Sequence, residues 1–122
     1  MLVLTSLDRI QNPKPDYAAF LNLLRVTEAR MNWAETSSGL RIYITGILTN
    51  RSEFAWRDIE LECRFFDTNG QLLDAAHPHV ALTIRPHDDT AFRVVVTPGH
   101  ATNDYASFRL SVSTARNTKS LF

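Results

Sequence analysis

From Leu24 onward the apolar residues recur mostly at every second position, and the stretches that carry this alternation are separated by clusters of Gly, Pro, Asn and Asp. A period of two belongs to strands with one buried and one wet face, so the pattern predicts an all-β chain. Over 40–50 (LRIYITGILTN), Leu40, Ile42 and Ile44 share a face with Gly46, while Arg41, Tyr43, Thr45 and Ile47 take the other. A glycine in mid-strand predicts a bulge or the close approach of a large neighbour. Over 58–67 (DIELECRFFD), Ile59, Leu61, Cys63 and Phe65 form the core face, and Glu60, Glu62, Arg64 and Phe66 the opposite one.

The same alternation places Val80, Leu82 and Ile84 inward over 79–86, Phe92, Val94 and Val96 over 90–98, and Phe108, Leu110 and Val112 over 106–115. The stretch 24–35 is less regular. Its Val26, Ala29, Met31 and Trp33 predict a first strand that contains a bulge. Six or seven short antiparallel strands over about a hundred residues, each with one wet face, predict an immunoglobulin-like β-sandwich.

The front of the chain breaks the pattern. In 12–24 (NPKPDYAAFLNLL), Pro15 precedes Asp16, and Tyr17, Phe20, Leu21 and Leu24 follow at helical spacing. This predicts a short helix with Asp16 at its positive end. The domain reading is an extension or linker over 1–15, one sandwich domain over 16–116 with its leading helix, and a tail over 117–122.

At 122 residues the chain suffices for one ordinary core, and 44% hydrophobic with 21% charged residues is a globular composition. Thirteen basic residues balance thirteen acidic ones. Without a field of one sign, the reading excludes nucleic acid as a partner. The lone cysteine, Cys63, rules out an intramolecular disulfide and leaves the compartment open. The opening MLVLTSLDRIQNPKP has only a few apolar residues, no basic stretch before them and no small-residue cleavage pattern. It matches neither a signal peptide nor a spanning helix, so a membrane attachment would come from a segment outside this sequence.

Several of these features fall in a recognisable order over 44–94: Gly46 and Asn50 at a strand end, a variable loop, then Phe66 and Asp67 closing a hydrophobic strand before a turn at Gly70. A small-residue linker, Pro86 in a turn and Phe92 on a later strand complete it. This segment resembles the FxLYD-type bacterial and archaeal sandwich domains, with Cys63-Arg64-Phe65-Phe66-Asp67 in place of the naming motif. The resemblance implies a β-sandwich, with Gly46, Asn50, Asp67, Gly70 and Phe92 as fold-determining positions. It also implies an envelope setting, on the extracytoplasmic face, and no catalytic residue.

The candidate chemistry is sparse. His77 and His79 stand two apart, and His87 precedes Asp88 and Asp89, so a metal site can be assembled on paper. Pro78 between the first two disfavours a regular ladder, and the expectation is exposed loop histidines with no bound metal or other cofactor. Cys63 falls on the core face, where burial suppresses thiolate formation. Asn50-Arg51-Ser52 is formally a glycosylation sequon, though Asn50 reads better as a polar residue ending a strand. The loop over 50–58 (NRSEFAWRD) carries two aromatics among charges, a composition suited to interface anchoring, and equally to a tryptophan tucked over the open end of the core. The expected contact surface is Phe54, Trp56, Arg57 and Phe66, or an exposed sheet edge through which the chain pairs with a protein partner or itself. The function expected is a non-enzymatic binding or assembly module, with a small-ligand or carbohydrate binder as the alternative and a histidine-dependent metalloenzyme behind both.

Overall fold

The alternating stretches are strands. A computed structural model describes residues 22–117. Among them lie β1 (Leu24–Thr36), β2 (Gly39–Asn50), β3 (Trp56–Phe66), β4 (Leu72–Ala76), β5 (His79–Val80), β6 (Asp89–Val96) and β7 (Ser107–Asn117), with one 3-10 turn at Thr102–Asp104. All pairings are antiparallel. One sheet runs β1-β2-β6. The other is built around β3, with β7 along one side and β4 and β5 in succession along the other.

The inward residues of both sheets meet in one core. Ile42, Ile44, Leu48, Phe92, Val94 and Val96 come from the first sheet, and Ile59, Leu61, Cys63, Phe65 and Val112 from the second. Each large aliphatic or aromatic residue among them contributes about 1.5–3 kcal/mol by leaving water.

The first strand owes its form to one irregularity. Leu24 and Val26 point inward, yet so do Met31 and Trp33, five residues on from Val26 and therefore out of phase with it. The register with β2 shifts between Thr27 and Arg30, and Glu28 adopts a positive φ of 53° there. This bulge resets the phase, so the apolar residues on both sides of it reach the core. Gly46 lies opposite. A Cβ on it would meet the Phe92 ring at 2.9 Å and the Thr27 carbonyl oxygen at 3.3 Å. Both expectations for this glycine hold, since it faces a bulge and lies under a large neighbour.

Four expectations need correction. The expected 79–86 strand keeps ladder pairing only at His79–Val80, and Ile84 rejoins β3 through an isolated bridge to Trp56. Pro78 lacks a donor, although its carbonyl accepts from the Leu61 N–H at 2.9 Å, and β3 is itself bulged near Asp58, whose φ is 49°. The two strands therefore part between Val80 and Ile84. Residues 72–76, to which the alternation assigns no strand, form β4; their two alanines and Asp74 have weak β propensity, and pairing with β3 supplies what propensity does not. Asn117, assigned to the tail, is buried and pairs with Trp56 as the last residue of β7. The expected helix over 12–24 lies outside the described residues up to position 21; Asn22 and Leu23 form a turn, and Leu24 already belongs to β1.

Candidate interaction surface

The loop expected to present aromatics turns them inward instead. Trp56 is fully buried at the head of β3, and Phe54 packs against it edge to face with ring centroids 6.3 Å apart. What holds the loop is Asn50. Its Nδ2 donates to the Phe54 carbonyl at 2.7 Å and the Arg85 carbonyl at 2.9 Å, while its Oδ1 accepts from the Ser52 N–H at 3.0 Å and the Ser52 hydroxyl at 2.7 Å. The Ser52 Oγ in turn accepts from the Trp56 indole N–H at 3.0 Å and the Phe54 N–H at 3.2 Å. Every polar atom of both buried side chains is thus used, as burial requires. Asn50 and Ser52 are also the formal sequon, and an amide committed to four partners inside the fold is closed to glycan attachment.

A second plug closes the opposite end. Tyr105, which the alternation does not single out, sits between Trp33 and Phe65 with both ring centroids at 5.2 Å in edge-to-face contact. Its hydroxyl donates to Asp74 Oδ2 at 3.3 Å and accepts from the Gly99 N–H at 3.1 Å. Burial raises the Tyr105 pKa, the Gly99 N–H opposes the rise, and the Asp74 charge adds to it. The one local hint is the Pro98-Gly99 turn a few residues before it.

The remaining sequence candidates scatter. Cys63 is buried, and burial, with the Asp74 charge behind it, pushes its thiol up to about 12, the opposite of a nucleophile's needs. Asp67 caps the β3–β4 turn: its Oδ1 accepts from the Asn69 and Gln71 N–H groups, and Gly70 supplies a φ of 77°. His77 lies 3.6 Å from Glu62 and His87 2.8 Å from Glu53, at separate places. Among the described residues no three His, Cys, Asp or Glu side chains are grouped as a metal site. Arg57 faces Asp58 at 3.6 Å beside an open depression of about 340 Å³ lined by Asp58, His79, Leu82 and Thr83. Phe66, half-buried, is covered by the Arg109 guanidinium 5.5 Å from its ring centroid and has the exposed Leu72 opposite. Trp56 and Phe66 are the two ends of β3, roughly 33 Å apart at a strand's rise. Phe54, Trp56, Arg57 and Phe66 therefore do not make one surface.

A different surface is continuous. Directly opposed residues share a face, so the register of the first sheet places in successive rows Arg25-Thr49-Asp89, Thr27-Ile47-Ala91, Arg30-Thr45-Arg93 and Asn32-Tyr43-Val95, with Ala34-Arg41 beyond. Four arginines and one acid occupy this outer face. Arg93 lies over the Tyr43 ring, 5.2 Å from its centroid, and Val95 is 48% exposed. Among the described residues the arginine ion pairs are all elsewhere: Arg57 and Arg116 on Asp58, Arg64 on Glu62, Arg85 on Asp88. Arg25, Arg30, Arg41 and Arg93 form no ion pair among the described residues, and Arg41 donates to the Leu40 carbonyl. The overall charge balance, read from the sequence as the absence of a charged field, conceals this separation between faces.

No family model matches the sequence, and no curated protein matches it. Among solved structures the chain is similar to that titled "Crystal structure of Campylobacter jejuni cj0090", at 21% identity and a TM-score of 0.34, over 66% of this chain and 78% of that one.

Proposed function

We propose that the chain is a non-enzymatic binding module of the immunoglobulin-like sandwich type, acting through the outer face of the β1-β2-β6 sheet. The observation that carries this reading is the set of four arginines, none in an ion pair among the described residues, around the half-buried Tyr43, Ile47 and Thr45 and the exposed Val95. An apolar centre with an arginine rim is the composition of protein interfaces, and arginine and tyrosine lead among residues that dominate binding energy. The chemically interesting groups elsewhere are engaged in the fold: Asn50 and Ser52 in one plug, Tyr105 in the other, Asp67 in a turn.

The FxLYD resemblance is retained as part of this reading, because Gly46, Asn50, Asp67, Gly70 and Phe92 each have a backbone or packing task that explains their residue type. The extracytoplasmic envelope setting rests on that resemblance, and fractionation of the native host tests it. The binding face is tested by cross-linking in the native host, comparing the wild type with Arg30→Glu/Arg93→Glu and with Arg64→Glu/Arg109→Glu on the opposite sheet. Loss of cross-linked partners in the first variant alone is expected. Partners lost only in the second, or in neither, would sink the assignment.

The depression beside Arg57 favours a second reading, a small-ligand binder, since its lining combines charged Arg57 and Asp58 with Thr83 and Leu82. A thermal-shift screen of small carboxylates and sugars with wild type and Thr83→Trp addresses it. Uniformly unmoved melting temperatures would remove that alternative.

A further inference from the structure

Resting on the binding-face reading, we infer that the partner's contact is an acidic polypeptide segment, its carboxylates seated on Arg30 and Arg93 with an apolar side chain over the exposed Val95. The two arginines lie on the edge strands on either side of Thr45, in one row across the sheet. Two interstrand steps set their backbones about 10 Å apart. Carboxylates three residues apart on a polyproline II segment, which share a face about 9 Å apart, or about seven apart on a helix, match that span. Each guanidinium offers a fork that takes a carboxylate through two parallel hydrogen bonds, and neither is engaged by an acid among the described residues.

The same face disfavours other occupants. A second copy would set arginine against arginine. A lipid surface calls for apolar side chains that project below the headgroups, but Tyr43 and Ile47 are half-buried between their neighbours. Single-stranded nucleic acid calls for open ring faces, and Arg93 already covers Tyr43. An acidic segment needs only what is present: exposed forks, the exposed Val95 beside them, and the β1 bulge that brings Arg30 onto the same face as Arg25.

The test is a titration of the full isotope-labelled chain, followed by amide shifts in NMR. The probes are a synthetic peptide with glutamate at every third position and leucine or tyrosine between, its lysine counterpart, vesicles of phosphatidylglycerol, and polyphosphate. The acidic peptide is expected to shift Arg30, Tyr43, Arg93 and Val95. Its affinity should fall on the order of tenfold or more in Arg30→Glu/Arg93→Glu, remain in Arg64→Glu/Arg109→Glu, and collapse near 1 M salt, where the Debye length is about 3 Å. Shifts confined to the β3 sheet, or an affinity indifferent to the first double variant, would overturn the inference. Binding of vesicles or polyphosphate without the peptide would overturn it in favour of those ligands. If the peptide fails while Arg30→Glu/Arg93→Glu still abolishes native cross-links, the acidic chemistry falls and the binding face stands; if the cross-links also survive, both fall.

Discussion

Asn50 shows what a single side chain does when both halves of its amide are buried and matched. Its donors face carbonyls of two different segments, the loop after β2 and the turn before β6, and its acceptor holds Ser52 in place to receive the Trp56 indole. Asn50→Ala leaves buried carbonyls and the Ser52 N–H without partners, so a loss of about 3 kcal/mol in urea denaturation is expected. Asn50→Asp should be no better, because a carboxylate cannot donate to the carbonyls it would face. Cys63 offers a test in pH. Burial pushes its pKa from 9.0 up to about 12, so the folded chain keeps a proton that the unfolded chain releases. That contribution is intact below about pH 9 and is lost as pH rises toward 12, at up to about 1.4 kcal/mol per pH unit. The cost of Cys63→Ala should therefore shrink by about 2 kcal/mol between pH 8 and 10.5. A constant cost would mean that the thiol reaches water. Tyr105 titrates upward too, but it is common to both proteins and cancels in the comparison.

The element whose form matters most for the proposed surface is β1. Without the bulge at Glu28, strict alternation from Leu24 and Val26 would turn Arg30 and Asn32 inward and Met31 and Trp33 to solvent. The bulge reverses that. Glu28 has a left-handed φ, which costs a non-glycine residue, so Glu28→Gly should be neutral or stabilising by about 0.5–1 kcal/mol. Glu28→Val should lose more than about 1 kcal/mol, because a β-branched side chain fits that conformation worst. Thermal melts of the two variants read this directly, and equal melting temperatures would argue that the bulge is not locked. The apolar residues of β1 were readable from the sequence. The bulge was readable only as irregularity, because nothing local says where the extra residue sits; Gly46, on the neighbouring strand, makes room for it.

For the molecule as a whole, charge is distributed by sheet. The β3 sheet pairs three of its four arginines, Arg57, Arg64 and Arg116, with Glu62 and Asp58, while among the described residues the four on the outer face of the first sheet form no ion pair. Like charges so placed repel, and this repulsion is unrelieved when the face is empty. Arg30→Glu/Arg93→Glu should therefore keep or raise the melting temperature at low salt, whereas Arg64→Glu, which sets like charge beside Glu62, should lower it. A fall with the first variant would show that these arginines support the fold, and would weaken the case for a binding face.

The sequence by itself determined the all-β class, the faces of β2, β3 and β6, the buried thiol and the Asp67–Gly70 turn, because a period of two and turn chemistry are local properties. It also marked Gly46, Asn50 and Phe92 as special, though not which partners each finds. The tertiary structure alone decided which way the aromatic loop faces, that Tyr105 closes the far end, that 72–76 pairs as a strand, and that a chain of zero net charge gathers four arginines on one face. Those outcomes depend on which strand lies beside which and in what register, and register joins residues that the sequence keeps tens of positions apart.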